Sequence, residues 1–581
     1  MSKILRVNMT DLTAKFEDVP EEYKNRGGRW LTTSIVCAEV DPTCHPLGPN
    51  NKFVAAPGIV TGTAAPTSAR MSVGGKSPLT GTIKEANAGS PLSQHLARLG
   101  VKAVVVEGSP KEHSKWWGLK LSTDGAEFFP ADEWAGKGLY EVYPQLFKKF
   151  GDRVGIMSIG VAGEMKMANA GVCFNDTDGR PARYAGRGGL GAVLGAKGLK
   201  FLVTDAAGGP QVPLADKELF DKGRAALRDA LQTHAVTKPG GALNAYGTQV
   251  LTNIINEAGG LPTRNFREGR FEGAAKISGE AMAKGCEERG GAGEMGHGCS
   301  PGCIIKCSNI WPNPDGTEMV SCIEYETAWA FGANCAIDDL DILGKLTWQS
   351  NDIGLDTIEA GGAIAVAMDG GVLEFGDGDG AIKLMEEIRE GTPLGRILGN
   401  GATTTGRAFG VHRIPAVKGQ NMPAYEPRAI KGIGVTYATS TMGADHTAGY
   451  TIAPEILAVG GDLDALEVEG KAKVSRDMQA ATAFVDSTGH CLFIAFAILD
   501  IAAGFQGVLD ECNGVLGTNW TGDDATRIGL EVMEKEYRFN QAAGFTRVDD
   551  RIPEFMKYEK LPPHNVVWDV PDDMLDSVNV F

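Results

Sequence analysis

The chain has 581 residues, a formal net charge of −17, 78 glycines and 11 cysteines. At roughly 100–200 residues per domain it is two to four domains long, which excludes a single small module. A composition of 43% hydrophobic and 22% charged residues excludes disorder and a fibrous repeat. The acidic balance repels phosphate backbones and anionic membrane surfaces, so nucleic acid and membrane are poor partners and a neutral or locally guided substrate fits better. Glycine, at about twice its usual share of roughly 7%, points to many turns and close backbone approaches.

The first residues, Met1-Ser-Lys-Ile-Leu-Arg6, lack the apolar run of a signal peptide, and no segment reaches the roughly 18 apolar residues of a membrane span. A soluble cytoplasmic protein is expected, and in a reducing compartment clustered cysteines call for a metal rather than disulfides. Up to about residue 208, short β-like runs alternate with Gly/Pro/Ser punctuation: 52–55, 58–62, 103–107, 153–159 and 201–203. Beyond Gly208-Gly209-Pro210 the period becomes helical, over 215–231, 248–258, 338–351, 357–368, 380–390, 452–457, 471–484, 491–503 and 525–541. The predicted fold class is α+β. A β base domain spans 1–208, followed by two mainly helical domains, 209–410 and 411–581.

Three local patterns carry chemistry. His297-Gly-Cys299-Ser-Pro-Gly-Cys303-Ile-Ile-Lys-Cys307 places three thiols within nine residues. Soft thiolates suit an iron–sulfur cluster, which needs a fourth cysteine, commonly distant in sequence; structural zinc is the alternative, but it favours a second nearby cysteine pair. Cys37, Cys44, Cys173, Cys286, Cys322, Cys335, Cys491 and Cys512 are the candidates for the fourth ligand. Cys491 stands out because Asp486-Ser-Thr-Gly-His490-Cys491 is a polar turn leading into an apolar helix. Gly186-Arg-Gly-Gly-Leu-Gly191 spells a dinucleotide fingerprint, yet the residues before it cannot form the central strand that motif requires. What survives is a glycine-rich turn beside Arg183 and Arg187 that could hold phosphate, leading into a helix at 192–197. A third stretch, Thr61 to Ser90, collects hydroxyls, small residues, Arg70 and Lys76 where a large polar ligand could approach.

Together with Glu324-Tyr-Glu326-Thr, Asn351-Asp-Ile-Gly-Leu-Asp356 and Ala438-Thr-Ser…Gly443-Ala-Asp-His446, these stretches occur in an order that resembles the tungsten-containing aldehyde:ferredoxin oxidoreductase family over nearly the whole chain. The resemblance implies a tungsten, or molybdenum, held by two pterins whose phosphates are bridged by Mg2+, with one [4Fe–4S] cluster beside them. It implies Cys299, Cys303, Cys307 and Cys491 as cluster ligands. Arg70, Ser72, Lys76, Asn87, Gly89, Arg187, Gly188 and Gly189 would face one pterin. Asn351, Asp352, Gly354, Leu355 and Asp356, paired with Asp486, Gly489, His490 and Cys491, would form the loops around the two. The family's catalytic pair maps to Glu326, with Glu324 second, and to His446.

The resemblance also implies reversible oxidation of aldehydes to carboxylic acids, ferredoxin or a small iron–sulfur subunit as acceptor, and an oligomer or hetero-oligomer. The sequence departs from the familiar pattern in its Cys-x3-Cys-x3-Cys spacing, in Asn351 for aspartate and in His490 for leucine. With no histidine between His297 and His412, the subunit-bridging metal site of some members is expected to be absent. Cys322 is a candidate tungsten ligand, as in the aryl-coenzyme-A reductase branch, or a small buried thiol. Two other readings stand beside the aldehyde enzyme: an aryl-coenzyme-A reductase of the same family, and an electron-relay subunit without an active pterin site.

Overall fold

A computed structural model describes residues 2–581. The first third folds into two six-stranded sheets. In the first, β1 (Lys3–Asn8), β2 (Thr13–Asp18), β3 (Phe53–Pro57), β4 (Arg70–Lys76), β5 (Ile83–Gly89) and β6 (Val101–Glu107) are ordered β2-β1-β6-β3-β4-β5. In the second, β7 (Trp117–Ser122), β8 (Gly125–Pro130), β9 (Gly155–Ser158), β10 (Val172–Asn175), β11 (Pro181–Ala185) and β12 (Leu199–Thr204) are ordered β11-β10-β9-β12-β7-β8.

Alternation within the strands explains the layers. Leu5, Val7, Phe53, Val104 and Val106 face the second sheet and pack with Leu119, Met157, Phe174 and Leu202. Ile4, Val54, Ala56 and Val105 face the other way, onto Leu31, Ile35 and Val36 of the helix Gly28–Glu39. Each fully buried side chain of this size contributes about 1.5–3 kcal/mol. The central strand β6 is apolar on both faces for this reason. The edge strand β2, of which only Ala14 packs against the cluster between the sheets, is almost wholly exposed.

The rest is mainly helical, as expected, with a three-stranded sheet of β13 (Glu294–His297), β14 (Ser308–Pro312) and β15 (Glu318–Ser321). One apolar cluster runs from Leu251 through Leu398 and Tyr437 to Val578, so the packing is continuous across Gly410. The expected helix at 491–503 is broken: a short helix Ala495–Asp500 stops, and Ala502–Leu516 starts anew after the extended Ile501.

The run 58–62 is not a strand. Its backbone N–H groups instead bond the end of the helix Lys471–Thr488, Ile59 to the Ser487 carbonyl and Val60 to that of Thr488. Gly58 makes this docking feasible, because a Cβ there would lie 2.1 Å from the Gly489 Cα. We therefore expect Gly58→Ala to push the 487–491 turn away from the sheet. Iron per purified chain, measured by elemental analysis, should drop while the far-ultraviolet spectrum is retained; full iron content would refute the link between this contact and the placement of Cys491.

Candidate active site

The sheets and the helical region enclose a cavity of about 520 Å3. Its floor comes from β4 and β5, whose antiparallel register sets Ser72 opposite Asn87 and Arg70 opposite Gly89. Arg70 Nη1 reaches Asn87 Oδ1 at 3.4 Å, and its Nη2 donates to Cys491 Sγ at 3.2 Å across 421 residues of sequence. The Arg70 guanidinium also lies in the fields of Cys299 and Cys307. Cys303 donates to Cys299, which lies well below the usual thiol range while Cys303 is pushed well above it. Thr67 fastens the two halves of this group, since its N–H bonds the Gly302 carbonyl and its carbonyl accepts from the Cys491 N–H. Four thiols from two distant segments thus gather at one end of the cavity.

At the other end lie Glu326 and His446. Glu326 is in the first turn of the helix Tyr325–Phe331, with Oε2 accepting from the Ala424 N–H at 3.0 Å. His446 opens a 3-10 turn capped by Asp445, whose Oδ1 accepts from the Thr447 N–H. His446 Nε2 is 3.3 Å from Glu326 Oε1. Burial pushes the Glu326 carboxyl up to about 8 and the His446 imidazole down to about 4. Between those values both groups are neutral, and the pair holds one carboxyl proton. Asp445 is different: burial opposes its ionisation, but Lys84, 3.2 Å away, and Arg187 hold it well below the usual carboxylate range. Glu324 is two residues from Glu326 yet points elsewhere, accepting from Thr248 Oγ1 at 2.6 Å and Ser308 Oγ at 3.0 Å.

Arg187 bonds the Ala444 and Asn421 carbonyls and reaches Asp356 Oδ2 at 3.3 Å. Asp356 also caps the helix Thr357–Asp369. The glycine-rich turn that carries Arg187 follows a strand, β11, that lies at a sheet edge and pairs antiparallel with β10, so it is no part of a dinucleotide-binding unit. Gly188 and Gly189 have positive φ, and a Cβ on Gly188 would meet the Lys84 side chain at 2.5 Å. Cys322 accepts from Arg183 Nη1 at 3.1 Å, and burial pushes its thiol up to about 12.

Of the residues singled out in the sequence, Arg70, Asn87, Gly89, Arg187, Cys299, Cys307, Cys322, Glu324, Glu326, Asn351, Leu355, Asp356, His446, Asp486 and Cys491 line the cavity. Others lie behind its wall. Lys76 bonds the Pro42 and Cys44 carbonyls, and Ser72 accepts from Asn87 Nδ2. Asp352 holds Arg389 and the Tyr140 N–H. Gly188 and Gly189 shape the turn. Gly354 and Gly489 end helices in the left-handed conformation. His490 is buried against Glu511, 2.8 Å from Oε2. The sequence reading missed Lys84, Glu85 and Arg29, whose buried ionisable side chains border the cavity, and the aromatic wall of Tyr325, Tyr425 and Tyr450. The adjacent opposite charges of Lys84 and Glu85 between Ile83 and Ala86 are the signal that could have found the first two.

The family models for the aldehyde ferredoxin oxidoreductase N-terminal domain and for its domains 2 and 3 match residues 4–206 and 223–578. This chain belongs to the aldehyde ferredoxin oxidoreductase family. A tungsten-containing aldehyde ferredoxin oxidoreductase of Pyrococcus abyssi is 36% identical over 96% of this chain and 92% of its own length. At 25% identity, over 98% of this chain and 91% of the relative, stands the WOR-like subunit of an aliphatic sulfonate oxidoreductase from Pyrococcus furiosus. The BamBC active-site complex of a benzoyl-coenzyme-A reductase shares the fold, with a TM-score of 0.79 at 18% identity, covering 99% of this chain and 93% of that one. Oxidoreductase chemistry is the family's common ground. No helix among the described residues is long and apolar enough to cross a membrane.

Proposed function

We propose that this protein oxidises aldehydes to carboxylic acids, reversibly, on a tungsten or molybdenum bis-pterin, and passes the electrons through a [4Fe–4S] cluster to ferredoxin or a small iron–sulfur partner in the cytoplasm. The carrying observation is the set of buried polar atoms around the cavity that have no partner: Arg70 Nε, Glu85 Oε1, Arg183 Nε, Glu326 Oε1 and His446 Nδ1. Buried polar groups are normally satisfied, so such a ring fits a large polar group that belongs among them. The donor set fits as well. Arg70, Asn87 and Arg187 offer N–H groups to pterin rings and phosphates, Asp356 and Asp486 offer acceptors, and Mg2+ would neutralise the phosphates. Cys299, Cys303, Cys307 and Cys491 offer the thiolates of a cluster.

The metal cofactor supplies the two-electron redox chemistry. An aldehyde and water yield the carboxylic acid with two electrons and two protons, and the chain's own residues manage the protons. In its carboxylate form, which forms as the pH rises through about 8, Glu326 takes the proton of the attacking water. The Ala424 N–H holds that carboxyl through Oε2, and neutral His446 stands 3.3 Å from its free oxygen. Tyr425 and Tyr450, joined hydroxyl to hydroxyl at 2.8 Å, together with Phe496, Leu251 and Ile254 form an apolar wall that holds the substrate's carbon chain and keeps bulk water out. Arg70, which would help to hold a pterin, is in contact with Cys491, which would help to hold the cluster.

Elemental and cofactor analysis with an aldehyde-dependent viologen assay tests the proposal. One tungsten or molybdenum and about four irons per chain, with viologen reduced by aldehydes, are expected. Iron without tungsten, molybdenum or pterin would make it an electron relay. Activity confined to aryl thioesters would make it an aryl-coenzyme-A reductase and turn attention to Cys322.

A further inference from the structure

We infer that Asp176, Asp178 and His297 form a second metal site, for a divalent ion of the Mn2+ to Zn2+ series, outside the cofactor cavity. One donor atom from each residue lies within 4.8 Å of the other two. Asp176 and Asp178 belong to the turn between β10 and β11, and His297 ends β13, so the site joins the second sheet to the segment that carries Cys299. None of the three lines the cavity.

Carboxylates alone would be weak evidence. The histidine is what points to a cation. His297 is only 7% exposed, and its Nε2 has no hydrogen-bond partner although it stands 3.4 Å from Asp178 Oδ2 and 3.9 Å from Asp176 Oδ2. On the far side of the ring, Nδ1 is 3.4 Å from Glu294 Oε2. A carboxylate behind a histidine, with the other nitrogen aimed at two further carboxylates, is the arrangement that orients imidazole toward a metal. Asp176 is preset in the same sense: its Oδ1 accepts from the Asp178 and Arg180 N–H groups, which leaves Oδ2 for the site. Imidazole with two carboxylates suits the borderline first-row ions over Mg2+ or Ca2+.

Arg180 is the competitor. Its Nη1 donates to Asp178 Oδ2 at 2.7 Å and to Asp176 Oδ2 at 3.2 Å, while Nε holds Glu318 through bonds of 2.8 and 3.0 Å. An entering cation displaces Nη1 from these oxygens and leaves the Glu318 pair intact. Thr177 Oγ1 already donates to the Gly298 carbonyl at 3.3 Å, so the ion would tighten an existing contact between the turn and the cysteine loop.

The test uses purified holoenzyme, stripped of loosely held ions with a mild chelator and equilibrated with Zn2+, with bound zinc, iron and tungsten counted by mass spectrometry. One zinc per chain is expected at micromolar free Zn2+, with iron and tungsten unchanged. His297→Gln and Asp178→Asn should each weaken zinc binding by about 100-fold and Glu294→Gln by about 10-fold, whereas Arg180→Gln should strengthen it. Zinc absent up to 100-fold higher free concentration, or bound equally by His297→Gln and Glu294→Gln, overturns the inference. Glu294→Gln changes no ligand, so it reports even where the His297 variant fails to fold.

Discussion

Glu326→Gln, with tungsten and iron contents unchanged, is expected to lower kcat for aldehyde oxidation by about 10²–10⁴-fold, the range for losing a positioned general base. The glutamine keeps the acceptor for the Ala424 N–H and the neutral charge that Glu326 has below about 8, so the site should stay intact. What disappears is the group that can ionise. In the wild-type protein, raising the pH through about 8 converts the carboxyl to the carboxylate, and the rate of oxidation should climb along that limb. The glutamine variant should lose the limb. The sign for stability is opposite: the folded carboxyl titrates above its usual 4.5, so the folded state binds the extra proton between 4.5 and about 8, and stability falls as pH rises across that window. Glu324→Gln is the control, because Thr248 and Ser308 hold its carboxylate away from His446. If Glu324→Gln abolished turnover while Glu326→Gln did not, the base would be Glu324.

The second large effect is expected at Arg29. Its guanidinium forks onto Glu536, with Nε to Oε1 at 2.9 Å and Nη2 to Oε2 at 2.8 Å, and its Nη1 lies 3.4 Å from Asp486. Arg29 and Glu536 are both buried, on helices near opposite ends of the chain. Arg29→Met leaves the fully buried Glu536 carboxylate without its cation, and breaking a buried pair in this way costs about 3–5 kcal/mol. Arg29→Lys restores charge without the planar fork and should recover only part of the loss. Urea unfolding of the two variants measures the difference. Because Asp486 borders the cavity, tungsten content should fall with stability in Arg29→Met. Wild-type stability in that variant would show that the fork does not hold the two ends together.

Much of this was readable from sequence, and the failures have physical causes. Helices with strong periods, such as Lys217–Thr233 and Gly378–Glu390, stood out because each presents an apolar face to a partner. The hairpin of β4 and β5 did not. Its Ser, Gly, Asn and charged residues serve a ligand-facing floor, so its pattern lacks the alternation of a half-buried strand. The run 58–62 looked like a strand because Ile59 and Val60 are apolar, but the N–H groups of those two residues bond carbonyls more than 400 residues away. Within the site, the family motifs located the cysteines and the Glu-Tyr-Glu run. That Glu326 rather than Glu324 meets His446 depended on the first turn of one helix and on Thr248, which no spacing rule reveals.

The Thr67–Cys491 bond also bears on how the protein is made. The sheet that carries the floor of the chamber is complete once β6 has been synthesised, but its far wall, with His446, Asp486 and Cys491, comes from the last quarter of the chain. A ribosome thus holds an open tray for most of translation, and closure waits for the C-terminal helices. The last helices then arrive as the cover of a floor that folded long before them.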